Sequence, residues 1–256
     1  MLYNLVKNEY YKLFKKKKLY IFAVIITGMA FIPVIINRLE EAGVNFTVNT
    51  LALENLSWST EMIIPIFLAV LVADLITGEY KEGTLKLSML GGATRIELLA
   101  AKIITLISAT LILVFFTMMI SYLSGAIFLE WGIPFQFNNV TLSETQGILF
   151  TAGLYLLSVI PLTAFGLMIM FFGLKLESGG SLVGLTIGIF FMMNIIRQLS
   201  TLFRPLILSN YFNTSYLLST DFSSQQILIF ILISLVYFLV FLALSVADIL
   251  NKDIVK

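Results

Sequence analysis

Eight of the chain's 31 charged residues fall within the 29 positions from Asp74 to Lys102, about twice the average density of the sequence. They are Asp74, Glu79, Lys81, Glu82, Lys86, Arg95, Glu97 and Lys102. Acids and bases interleaved at this spacing suit ion pairing and the register of a protein contact. Imidazole and thiol chemistry are excluded outright, because the chain contains no histidine and no cysteine. With them go disulfides and zinc sites of the usual Cys/His kind. Within the cluster Gly78 and Gly83 flank Glu79-Tyr80-Lys81-Glu82, and Gly91-Gly92 separates two helix-like runs. Residues 82–90 carry Leu85, Leu87, Met89 and Leu90 and read as a short exposed helix that turns at Gly91-Gly92 into 94–102. A solvated connector has no use for that many apolar side chains, so the segment is expected to contact another protein.

The elements that must carry this loop are membrane spans. The sequence is 59% hydrophobic and only 12% charged, with a mean hydropathy of +0.99. An ordinary soluble domain has roughly twice that charge. A helix needs about 20 apolar residues to cross a hydrocarbon core. Six stretches meet that need, near 19–36, 60–77, 103–129, 148–174, 178–196 and 227–247. The expected fold is an all-α integral membrane protein of six transmembrane helices, with the charged loop at 78–102 between the second and third. The spans form one domain over residues 19–256.

The net charge of +1 resolves once the spans are drawn. With both termini cytoplasmic, the inner segments hold 13 of the 16 basic residues and a net +5, and the outer segments a net −4. Residues 1–18 put Leu2, Tyr3, Val6, Tyr10, Leu13 and Phe14 on one helical face and lysines around the rest. That pattern predicts an amphipathic helix lying along an anionic inner leaflet. Its basic stretch is too long for a signal peptide, and no small-x-small site follows the first span, so no cleavage is expected.

Further expectations concern packing. Gly180, Gly184 and Gly188 recur every four residues in span five and would let another helix approach closely, either within the chain or across a dimer. Pro161 is expected to kink span four, with Ser158 or Thr163 bonding freed backbone groups, and Pro65 to sit in the first turns of span two. Trp131, Phe135, Phe137, Tyr211, Phe212, Tyr216 and Phe222 read as interface anchors in the outer loops. Asp74, Asp221, Asp248 and Asp253 all lie at span ends or in loops. An intramembrane aspartyl protease or an ion-driven carrier, which needs ionisable groups near the midplane, is therefore disfavoured.

The stretch Thr77-Gly78-Glu79-Tyr80-Lys81-Glu82-Gly83-Thr84-Leu85-Lys86, followed by Leu90, Arg95 and Lys102, resembles the signature of the ABC type-2 exporter permeases. Gly83-Thr84, Thr94-Arg95 and Lys102 match that pattern, whereas Gly92 and Ala93 stand where the family carries a proline before the arginine. The resemblance implies that Glu79, Lys81, Glu82, Gly83, Thr84, Leu85, Lys86, Leu87 and Arg95 form the coupling region that docks on a separate cytoplasmic ATPase. It also implies a second permease subunit, as a homo- or heterodimer. The chain has no phosphate-binding Gly-x-x-x-x-Gly-Lys-Ser/Thr loop, so ATP and Mg would be bound by the partner and no cofactor by this chain. The nearest likeness is to small Gram-positive permeases that export, or confer immunity to, antimicrobial peptides. Amphipathic or lipophilic cargo at a bacterial plasma membrane is the expectation, with no nucleic-acid partner. The alternatives are export of small drugs or ions, or an ATPase-recruiting sensor that transports nothing.

Overall fold

The computed structural model describes residues 1–39, 47–78, 92–129, 131, 135–137, 140–176, 178–215, 217 and 223–251. Helix α1 (Leu2–Lys15) ends at Lys16, whose extended backbone breaks the chain before α2 (Lys17–Leu39). Span two is composite. Helix α3 (Val48–Trp58) runs into a π-helical turn (Ser59–Ile63), then α4 (Ile64–Val72), then a second π turn (Ala73–Thr77). Helices α5 (Arg95–Phe128), α6 (Glu144–Lys175), α7 (Gly179–Leu199) and α8 (Ser224–Asn251) complete the bundle. A small antiparallel hairpin, β1 (Phe135–Phe137) with β2 (Val140–Leu142), pairs Phe135 with Leu142 between α5 and α6.

Six helical stretches are long and apolar enough to cross a membrane: Lys17–Ile36, Val48–Thr77, Arg95–Phe128, Glu144–Lys175, Gly179–Leu199 and Ser224–Asn251. The chain is thus an all-α protein with the composition of a multi-pass membrane protein. Spans two and four form the centre, with 72% and 78% of their apolar windows buried, whereas span six has 11%. The outer helices leave Val24, Ile127, Phe191, Leu228 and Leu239 exposed, the surface expected where the surrounding solvent is hydrocarbon. Alternation of the spans puts α1, Lys18, Asp74, Arg95, Lys102, Lys175 and the end of α8 at one end of the bundle, called here the basic end.

Several buried threonines of this core are satisfied along their own helices. Thr60, Thr105, Thr110, Thr117 and Thr151 are buried, and each hydroxyl donates to the carbonyl four residues earlier. Tyr155, 1% exposed, donates from span four to the Ala52 carbonyl of α3 at 2.7 Å.

Several expectations are corrected. Span two begins at Val48 rather than near 60, because the Thr47 hydroxyl accepts the Thr50 amide and starts the helix earlier. Glu54 and Glu61 consequently lie inside the span. Pro65 follows the first π turn in mid-span, where a turn already widened accommodates the missing N–H. Pro161 stands inside helix α6, and the Ser158 and Thr163 hydroxyls donate to the carbonyls of Tyr155 and Ile160 rather than to the Leu157 carbonyl that the proline leaves free. Span three is the later part of one helix that starts at Arg95. Tyr211 and Phe212 are buried rather than interfacial. Two 3-10 turns fold them back so that Phe212 packs on Phe165 and Phe190, and Tyr211 on Phe230. Trp131 is exposed; Tyr216 and Phe222 lie outside the described residues, as do the side chains of Phe135 and Phe137.

Candidate functional site

The charged loop is anchored at both ends by the basic end of the bundle. Its start is the second π turn of span two, which carries Asp74 and Leu75 and is followed by Gly78. Its exit is Gly92, whose φ of 87° makes the turn expected at this glycine pair. Thr94 then caps α5. Its hydroxyl accepts the Glu97 amide, while the Glu97 carboxylate accepts from the Thr94 amide and hydroxyl.

Lys102, 3% exposed, ties these two ends together. About two turns into α5, its ammonium donates to the Leu75 carbonyl at 2.6 Å and lies 3.6 Å from Glu9 Oε2. Glu9 sits on α1, is itself buried, and receives Lys12 at 3.1 Å through its other oxygen. A charge removed from water this far needs both a counter-charge and hydrogen-bond partners. One buried ammonium thus joins span two, span three and the N-terminal helix. Asp74 adds a second tie, reached by Lys18 at 2.9 Å and Lys16 at 3.5 Å from the junction of α1 and α2. Around it, Leu5 of α1 packs on Ala93 and Leu98, and Leu13 enters the main core.

Of the residues singled out from sequence, Arg95 lies beside this network. Its guanidinium donates to the carbonyls of Leu250 at 2.8 Å and Ile249 at 3.4 Å. It therefore caps the C-terminal end of α8, where carbonyls lack helical partners and the dipole is negative. Glu79, Lys81, Glu82, Gly83, Thr84, Leu85, Lys86 and Leu87 lie outside the described residues.

Gly184 and Gly188 of span five do not pack within the chain. A methyl group at Gly184 or Gly188 would meet no atom within 4 Å, and one at Gly180 only the Ser178 hydroxyl at 3.8 Å. Close approach within the chain occurs instead at Gly125 against Val48, Gly147 against Asn49 and Gly166 against Leu106.

Toward the other end, a cavity of about 440 Å³ opens between spans two and five. Trp58, Met62, Phe190 and Phe191 give it apolar walls, and Asn194 and Glu61 give it polar points. Glu61, in the first π turn, is held by Arg197 at 3.3 Å. Both carboxylates that interrupt the lower two thirds of span two, Glu61 and Asp74, thus occupy π turns and each has a cation from another span.

Sequence reasoning did not join Glu9, Asp74 and Lys102 at the basic end, nor pair Glu61 with Arg197 toward the other. One signal was visible: Glu9 is the only acid among the first 18 residues, six of which are lysine. Among the described residues, no three metal-ligating side chains converge. What the arrangement provides is mechanical linkage and binding surface.

A family model described as "Protein of unknown function (DUF2705)" matches residues 9–255, so the match takes in both Glu9 and the whole bundle. No curated protein matches the chain.

Proposed function

We propose, from the premise that the chain belongs to the DUF2705 family, that it is the transmembrane permease subunit of an ATP-driven exporter. The family's description assigns no activity, so the reading rests on this chain's own residues. The observation that carries it is the Lys102 tie. The ends of spans two and three that bracket residues 79–91 are joined through a buried ammonium to each other and to α1. A push delivered to a loop so braced moves three elements together instead of being lost in a slack connector.

In this reading residues 79–91 dock on a cytoplasmic ATP-binding-cassette ATPase, which binds ATP and Mg. The Glu-Gly-Thr sequence at Glu82, Gly83 and Thr84 supplies the likeness, and Leu85 and Leu87 an apolar ridge. Both termini are cytoplasmic, α1 lies at the inner surface of a bacterial plasma membrane, and two permeases pair. The unpartnered face of Gly184 and Gly188 is compatible with such pairing. The cargo is an amphipathic or antimicrobial peptide or another lipophilic molecule, in keeping with the aromatic cavity between spans two and five and its few polar points.

The test is purification of the full chain from its native membrane, followed by reconstitution. An ATP-binding-cassette ATPase should accompany the chain, and vesicles containing both should move an amphipathic peptide when given ATP. Association without movement of any cargo would leave the recruiting-sensor reading in its place. Absence of an ATPase under conditions that keep the bundle folded would overturn the proposal.

A further inference from the structure

We propose that the cavity under the α1–α2 junction binds the phosphodiester headgroup of an anionic phospholipid. The cavity, of about 150 Å³, lies between α1, the start of α2 and the basic end of span two. Its polar wall presents Lys12, Lys16 and Lys18 opposite the carboxylates of Glu9 and Asp74. Its other wall is hydrocarbon: Phe67, Val70 and Leu71 from α4, with Leu19 from α2.

That combination selects the ligand chemistry. A phosphodiester carries one negative charge and two non-bridging oxygens, which can accept from two ammonium groups together. Lys16 and Lys18 are 42% and 55% exposed while they reach Asp74, so each ammonium keeps donors for a second acceptor. The lining holds three bases against two acids, and the excess positive charge favours an anionic headgroup over a zwitterionic one. A free phosphate ion would leave the apolar wall without a role, whereas a lipid places its acyl chains there. The level is also right, because the cavity sits where the first span leaves its lysines and the second ends near Gly78. Lysines at a span boundary meet the headgroup layer.

The bound phosphodiester competes with Asp74 for Lys16 and Lys18. Lipid binding therefore loosens the tie between the α1–α2 junction and the second π turn, directly beside the Leu75 carbonyl that Lys102 holds. The inference needs only a membrane-spanning chain and stands whether or not that chain is a permease.

The experiment measures retention of phosphatidylglycerol and of phosphatidylcholine with equal acyl chains by the purified full chain, using native mass spectrometry. Inorganic phosphate is included as a competitor. Phosphatidylglycerol should be preferred by about thirtyfold, the scale expected for two lysines at a membrane surface. The K16Q/K18Q double variant should lose the preference, while Lys15→Gln with Lys17→Gln, which removes the same charge outside the cavity, should keep it. Asp74→Asn should hold or raise the preference, since it removes the competing carboxylate. Equal retention of the two lipids would overturn the site. So would equal loss in both lysine pairs, which indicates diffuse surface attraction only, or loss of the preference in a folded Asp74→Asn variant. Displacement of the lipid by inorganic phosphate would overturn the lipid assignment.

Discussion

Glu9 and Lys102 meet at 3.6 Å across the basic end of the bundle, one on the N-terminal helix and one inside the third span, and both are less than a tenth exposed. A pair this deep is costly to create and costlier to break on one side only. Lys102→Met removes the donor to the Leu75 carbonyl and leaves Glu9 with less compensation. It should destabilise the protein by about 3–5 kcal/mol, seen as a lowered thermal midpoint in detergent. Joined to Glu9→Gln, the loss should be clearly smaller than the sum of the single effects. Additive losses would mean that the two side chains are not coupled.

The Glu61–Arg197 pair should behave differently. Its side chains are 39% and 21% exposed, and Arg197 stands in the last turn of span five, where the polar boundary layer rather than hydrocarbon surrounds the pair and screens it. Glu61→Gln is expected to change stability by at most about 1 kcal/mol. A loss comparable to that of Lys102→Met would show that the cavity between spans two and five depends on the ion pair for its shape.

Two glycines separate packing within the chain from packing against a partner. At Gly125 a methyl group would come within 2.7 Å of Val48 Cγ1, on a β-branched side chain with little freedom to move. Gly125→Ala should cost about 1–3 kcal/mol. At Gly184 the same methyl group meets nothing within 4 Å, so Gly184→Ala should leave the thermal midpoint of the isolated chain unchanged. Even Gly184→Leu should act only on assembly, read as a shift in oligomer population by light scattering. Destabilisation of the separated chain by either variant would contradict the open face.

Tyr155 tests the polar contacts of the core. Tyr155→Phe removes the donor to the Ala52 carbonyl and the contact with the Ser121 hydroxyl, at 2.7 and 3.3 Å, while keeping the ring. The expected cost is about 1 kcal/mol, the scale of interhelical hydrogen bonds in membrane proteins. No change would imply that another donor satisfies Ala52.

If residues 79–91 dock on an ATPase as proposed, Glu82→Lys and Gly83→Trp should each weaken its co-purification or uncouple its hydrolysis from transport. The thermal midpoint of the bundle should stay as it is. Normal coupling in both variants would remove the docking assignment from residues 79–91.

Span existence was legible because a bilayer imposes one simple rule, a long run of apolar residues, and all six helices obey it. Span two was the exception at its boundary. Asn49, Glu54, Asn55 and Ser57 resemble a loop in composition, yet Asn55 reaches the Ala30 carbonyl at 3.3 Å and Asn213 donates to Ser57 at 2.9 Å. Asn49 and Asn55 spend their polarity on neighbouring spans and Ser57 on the segment before span six, which no local window can register. The burial of Tyr211 and Phe212 escaped notice for the same reason, since a loop aromatic looks alike whether it faces a headgroup or folds back on Phe165.

Charge tells the same story at the candidate site. The sequence by itself determined how much charge there is, that it gathers after span two, and that six apolar helices must carry it, because these are properties of composition and of the 3.6-residue repeat. Only the tertiary structure decided which charges are spent inside the protein. Lys102 is withdrawn into the bundle to hold Leu75 and Glu9, Arg95 is turned onto the end of α8, and Asp74 is claimed by Lys16 and Lys18. Those pairings join residues far apart in the chain, and Coulomb attraction between them depends on a separation in space that helix packing alone sets.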